Sequence, residues 1–306
     1  MKTIVQRYRQ FVGVVLVTLC LVLILPPQAS YSFVSSSPQM LLGNPSGAVT
    51  SLRSKNNYLM IKSQYALSYN QDKSIANWVS WELNKSWLGK FDRCRGNTRK
   101  DRFNIDGNLP IAISPVLPTD YRGSGFDRGH LIPSGDRSNS RIDNCATFAM
   151  TNIIPQTRDI NRGPWETLEK YARKLAKNGK QLYIIAGGAG IGGENADGKK
   201  VLSFAGYDSA LDITVPAICW KIILVLDRPG LGIKDITNQA RVIAVAMKQE
   251  MGTLDNYWNN KDETGKFRYI TTVKEIERLT GYDFFSNLPR TLQIALESKL
   301  DSGEDY

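Results

Sequence analysis

Over residues 77–83, apolar and polar positions alternate with a period of two. Val79, Trp81 and Leu83 fall on one face, which predicts a strand. The runs 58–69, 147–154, 181–186, 213–226 and 241–247 also read as strands, on their apolar, β-branched and aromatic content. The period changes over 164–178. There Trp165, Leu168, Ala172 and Leu175 recur at helical spacing behind Pro164 and ahead of Gly179, which predicts a helix. A shorter helix is expected over 272–280, opened by Thr272 and Glu275 in capping-box spacing and ended by Gly281. With no internal repeat and no composition break after residue 56, the pattern predicts one α+β domain over 57–306.

The N-terminal residues follow a different pattern. Arg7 and Arg9 precede an apolar run over 11–25, and Pro26, Pro27, Ala29 and Ser30 follow it, so residues 1–30 read as a signal peptide. The run is shorter than the roughly 20 residues a membrane-spanning helix needs. The protein is therefore expected to be secreted or periplasmic, without stable membrane association once the signal is cleaved. Residues 31–56 carry Ser35, Ser36, Ser37, Pro38, Gly43, Pro45 and Gly47 and read as an exposed linker.

Apolar residues make up 42% of the 306-residue chain, enough for a sizeable core and too many for wholesale disorder. Lysine and arginine (39) exceed aspartate and glutamate (29) by 10; losing residues 1–30 removes Lys2, Arg7 and Arg9 and leaves +7. A basic surface suits polyanions, of which nucleic acid is one. Of the four cysteines, Cys20 lies in the apolar run, and Cys94, Cys145 and Cys219 cannot all pair within one chain. The expectation is one bridge, Cys94 to Cys145, and a buried Cys219 thiol. No C-x-x-C pair suggests a zinc or redox site.

Gly188, Gly190 and Gly193 match a dinucleotide fingerprint in spacing, but Glu194, Asn195, Asp197 and Gly198 continue the turn where that fingerprint needs a helix. A hairpin connection is expected instead. The only histidine, His130, sits in Asp127-Arg128-Gly129-His130, read as a loop among the acids, arginines and glycines that bind and activate phosphate. One histidine excludes two-histidine zinc hydrolase sites and paired-histidine ribonuclease chemistry. Further along, Asn161 precedes the 164–178 helix, on which Glu169 and Arg173 share a face at i, i+4. Alone, these residues read as a helix cap, Asn161, and a surface ion pair, Glu169 with Arg173.

Taken together, Asp127-Arg128-Gly129-His130-x-x-Pro133, Asn152-x-x-Pro155-Gln156, Asn161, Trp165 and Leu168-Glu169 resemble the DNA/RNA non-specific endonucleases, the secreted ββα-metal nucleases, and most of all their cyanobacterial members. The likeness runs over 57–289 and includes Tyr65-Ala66-Leu67-Ser68-Tyr69 and Asp283-Phe284-Phe285. It implies an α+β fold with a central antiparallel sheet flanked by helices and a ββα-metal motif. It also implies His130 as the base that activates water and Asn161 as the ligand of a Mg²⁺ ion, with Mn²⁺ as the alternative. Glu169 would act on the metal through water, and Arg99 and Arg173 would contact phosphate, with Arg102 or Arg95 as alternatives to Arg99. Arg128 and Asn152 would support the site, and Asp127 would anchor the loop. The implied partners are DNA and RNA, single- and double-stranded. Two other readings remain: a catalytically silent, exported nucleic-acid-binding protein, and a phosphodiesterase for small nucleotides.

Overall fold

In a computed structural model, the structure describes residues 37–94, 102–252 and 256–303. Thirteen strands occur among them: β1 Tyr58–Ile61, β2 Ala66–Asn70, β3 Ile75–Leu83, β4 Asp127–His130, β5 Ile153–Gln156, β6 Gln181–Ala189, β7 Gly193–Glu194, β8 Lys200–Val201, β9 Ser203–Ala205, β10 Asp212–Thr214, β11 Ile218–Leu226, β12 Arg241–Lys248 and β13 Ile270–Thr271. The helices are α1 Arg141–Ala146, α2 Arg158–Arg162, α3 Pro164–Lys177, α4 Val273–Thr280 and α5 Arg290–Glu297.

Seven strands form one sheet in the order β1-β2-β3-β6-β11-β12-β13, and every neighbouring pair is antiparallel. Its central strands are buried on both faces, which is why β11 reads as a nearly unbroken apolar run. Alternation then assigns the faces. Cys219, Ile223 and Val225 join Trp81, Ile184 and Val245 against Trp165, Leu168 and Ala172 of α3. Trp220, Ile222 and Leu224 join Trp78 and Ile185 against Val273 and Ile276 of α4 and Leu296 of α5. A Cβ at Gly187 in β6 would meet the Trp220 ring at 2.6 Å and the Asn77 carbonyl at 2.5 Å, so only glycine lets Trp220 lie across the sheet. The expected α+β architecture with a central antiparallel sheet and flanking helices is present.

Several expectations need correction. The 58–69 run is a hairpin, turned where the Lys62 amide donates to the Tyr65 carbonyl at 2.9 Å. The 213–226 run breaks at Pro216 into β10 and β11, because proline cannot donate to the ladder. The 147–154 segment supplies only the start of β5, after a 3-10 turn at Met150–Asn152. Asp127-Arg128-Gly129-His130 is not loop: it is β4, paired antiparallel with β5. Residues 37–56, read as exposed linker, pack onto the domain, with Met40 and Leu42 in the core. Gln39 there accepts from the Glu82 amide at 3.0 Å and donates to the Ser63 carbonyl at 2.9 Å, satisfying backbone groups that a free linker would leave open. The glycine-rich turn after β6 leads into the β7–β8 hairpin and no helix, as expected. Cys94 and Cys145 form a disulfide and Cys219 is a buried free thiol. The apolar run 11–25 lies outside the described residues.

Candidate active site

β4, β5 and the helices that follow β5 frame a cleft of about 980 Å³, lined by His130, Asn161, Glu169 and Arg173 together with Asp127, Arg128 and Phe103. β4 forms although its sequence lacks apolar alternation, because β5 supplies the partner ladder and Gly129 permits close approach. A Cβ at Gly129 would run into the Gln156 side chain across the pair. Asn152 is fully buried and does not line the cleft. Its side chain instead binds both backbone groups of Ile132, at 3.0 and 2.9 Å, and the Thr147 carbonyl at 2.8 Å. It clamps the exit of β4 and positions His130 from behind. From the other side, the Trp165 indole of α3 donates to the His130 carbonyl at 3.2 Å.

The His130 ring packs between Phe148, edge-on at 4.9 Å between centroids, and Phe103, tilted at 5.3 Å. Nε2 is buried and has no hydrogen-bond partner. Burial, with the charges of Arg93 and Arg128 adding to it, pushes the imidazole down to about 3, so it is neutral at physiological pH. Arg128 lies over the Phe103 ring at 4.1 Å and donates to the Pro118 carbonyl at 3.2 Å.

Asp127 holds the next group, Asn161 and Arg162 of α2. Its Oδ2 accepts from Asn161 Nδ2 at 2.9 Å and from Arg162 Nε at 2.8 Å, and its Oδ1 from Arg162 Nη2 at 2.7 Å. Burial pushes this carboxyl up, but the hydrogen bonds from Arg162 and Asn161 outweigh it and hold the group below the usual carboxylate range. With its amide nitrogen fixed to Asp127, Asn161 is left with Oδ1 as its acceptor toward the cleft. An oxygen donor on a short helix beside an acidic side chain, in a roomy polar cleft, fits a hard divalent ion that keeps most of its shell as water.

Glu169 and Arg173 are not the surface ion pair that their spacing allowed. Arg173 Nη1 binds Asp136 Oδ1 at 3.0 Å, and the buried Asp136 also accepts from Trp81 Nε1 at 3.0 Å. Glu169 Oε1 lies 3.7 Å from Lys221 Nζ. Burial raises Glu169 to about 7 against the opposing charges of Lys221 and Arg173. Lys221 is itself pushed down by burial and sits over the Trp165 ring at 4.0 Å. Lys221 escaped the sequence reading because it lies in the apolar run of β11; a lone lysine in such a strand was the available signal. Arg93 was also missed, one residue before a bridged cysteine. Arg99 and Arg95 lie outside the described residues, and Arg102 is not among the described residues lining the cleft.

Residues 42–291 match the family described as DNA/RNA non-specific endonuclease. The chain belongs to that family. It is 46% identical to a nuclease of Nostoc sp. over 277 residues, covering 90% of each chain. It is 29% identical to human mitochondrial nuclease EXOG over 76% of this chain, and spans 58% of that protein's length. Human mitochondrial endonuclease G is 28% identical over 75% of this chain and 70% of its own. In fold, the chain resembles a chain from the crystal structure of the EndoG/EndoGI complex, with a TM-score of 0.58, 24% identity, and coverage of 83% and 92% of the two chains. As a member of this family, the protein is a nuclease that hydrolyses phosphodiester bonds, and the family is metal-dependent.

Proposed function

We propose that this protein is an exported, Mg²⁺-dependent endonuclease that cuts DNA and RNA, single- or double-stranded, without selecting base or sugar, and leaves 5′-phosphates; Mn²⁺ is the alternative ion. The observation that carries this reading is that His130, with its Nε2 buried, and Asn161, with its amide nitrogen held by Asp127, line one open polar cleft. Export rests on residues 1–30 serving as a cleaved signal.

In this reading, β4, β5 and α3 act as the ββα-metal unit. His130 accepts a proton from water through Nδ1, since Nε2 is sealed. The water oxygen bonds to phosphorus in line, and the bond to the 3′-oxygen breaks. A bound phosphodiester brings negative charge beside Arg93 and Arg128, whose charges lower His130 in the free protein, and so raises its basicity when it is needed. Arg173, fixed by Asp136, and Arg128 hold the phosphate oxygens. Arg99 remains proposed as a further phosphate contact on sequence position alone. Asn161 Oδ1 would hold the ion, with Glu169 accepting from its water ligands; bound there, it supplies charge stabilisation for the pentavalent phosphorus and the leaving oxygen. The nucleophile is water and not a sugar hydroxyl, so the 2′ position is irrelevant. Recognition through phosphates carries no sequence information and weakens as salt rises.

The test is cleavage of supercoiled plasmid and of RNA by the purified protein, in Mg²⁺ or EDTA, beside His130→Ala. Loss of both activities in EDTA and in the variant is expected. Cleavage of RNA or DNA alone overturns sugar non-specificity, and cleavage only of dinucleotides favours the small-nucleotide reading.

A further inference from the structure

On the sheet face opposite the nuclease cleft, α4, the turn after it and α5 bring three acidic side chains together. Glu277 of α4, Asp283 of the turn and Glu297 at the end of α5 each place a carboxylate oxygen within 4.8 Å of the other two. Glu297 is 4% exposed; its side chain hydrogen-bonds Gln293 and Glu277, but its Oε1 is buried with no partner. The other two are already oriented: Glu277 Oε1 accepts from the Phe284 amide at 2.9 Å, and Asp283 Oδ1 accepts from Gln293 Nε2 at 2.5 Å. The nearby cation, Arg290, hydrogen-bonds Gln293 Oε1 at 3.0 Å. A buried carboxylate with one oxygen unpartnered, clustered with two further carboxylates, is costly unless something positive or a proton joins them.

We propose that Glu277, Asp283 and Glu297 form a calcium site that ties α4 to α5. An all-oxygen ligand set suits a hard cation, and calcium accepts the irregular shell that a helix, a turn and a second helix would leave here, where magnesium demands near-ideal octahedral geometry. Three carboxylates supply charge but not the six to eight ligands calcium takes. Asp283 is exposed, so water completes the shell. The site is structural, since it lies across the sheet from His130, and its existence does not depend on the nuclease mechanism proposed above. The competing arrangement is a proton shared between Glu277 and Glu297, which requires no metal.

The experiment is thermal unfolding of EDTA-treated protein at pH 8 with and without 5 mM CaCl₂, together with calorimetric titration by Ca²⁺. Wild type and Asn161→Ala are both expected to gain roughly 2–4 °C in Tm, as for an ion present at several times a submillimolar Kd. Asn161→Ala removes the cleft as the source of the response. In Asp283→Asn, which can still accept from Gln293, and in Glu297→Gln, the gain should fall below about 1 °C. Asp283→Asn should retain wild-type plasmid cleavage in Mg²⁺. In the Asn161→Ala background, Mg²⁺ should stabilise less than Ca²⁺. The proposal is overturned if Ca²⁺ neither binds nor shifts Tm in wild type, if both cluster variants keep the shift, or if Asn161→Ala alone abolishes it.

Discussion

Lys221→Met tests whether the buried lysine keeps Glu169 charged. The ammonium and carboxylate are 3.7 Å apart, which corresponds to about 4.5 kcal/mol at an effective dielectric of 20 and about 1.1 kcal/mol at that of water. Only 2% and 12% of the two side chains is exposed, so the effective value lies between these limits. Part of the loss is recovered by protonation, because burial has already raised Glu169 to about 7. A double-mutant cycle of Lys221→Met and Glu169→Gln, measured by urea unfolding, should therefore give a coupling of about 1–3 kcal/mol at pH 8. At pH 5.5, where Glu169 is protonated in either background, coupling should shrink below about 1 kcal/mol. With the carboxylate less charged at pH 7.5, Lys221→Met should also raise the half-saturating Mg²⁺ concentration for plasmid cleavage by about 10- to 100-fold. A coupling under about 0.5 kcal/mol at pH 8, or one that does not change with pH, would refute the reasoning.

Three further outcomes are expected. His130→Ala should lower the rate of plasmid cleavage by about 10²- to 10⁴-fold while leaving plasmid binding in EDTA unchanged; a loss confined to binding would contradict its role as base. Because His130 is the only histidine, its Hε1 proton NMR signal should show no titration between pH 5 and 9, with a midpoint near 3. An unfolded chain with its histidine near 6.5 binds more protons than the folded one between about pH 3 and 6.5, so this contribution to stability is complete above 6.5 and lost as pH falls towards 3. The wild-type advantage over His130→Ala in urea should shrink accordingly. Finally, the Cys94–Cys145 bridge closes a 51-residue separation, and Cys94→Ser/Cys145→Ser should cost up to about 4 kcal/mol by loop entropy. An unchanged urea midpoint would contradict this.

Periodicity located β3 and α3 closely, and apolar, β-branched content located β6 and β12, because each of these elements is long and largely buried. The chemistry was legible only through the family motif: read alone, Asn161, Glu169 and Arg173 look like a helix cap and a surface ion pair, and the motif is what joined them to His130. Tertiary structure decided what depends on a partner distant in sequence. β4 is a strand only because β5 pairs with it and Gly129 makes room for Gln156, so its residues carry no strand pattern of their own. Residues 37–56 have the composition of a linker, yet Gln39 completes hydrogen bonds to residues 24 and 43 positions away. Asn152 was placed in the site by motif, and only packing showed that it acts on the backbone behind His130. Lys221 was hidden because burial and charge partners are set by register across the sheet and by α3 lying over it, and neither leaves a periodic trace in β11. The sequence by itself determined which segments could bury a face and which side chains could do the chemistry. The third dimension determined which of those side chains meet, because the fields that tune His130 and Glu169 come from groups brought within a few ångströms by folding.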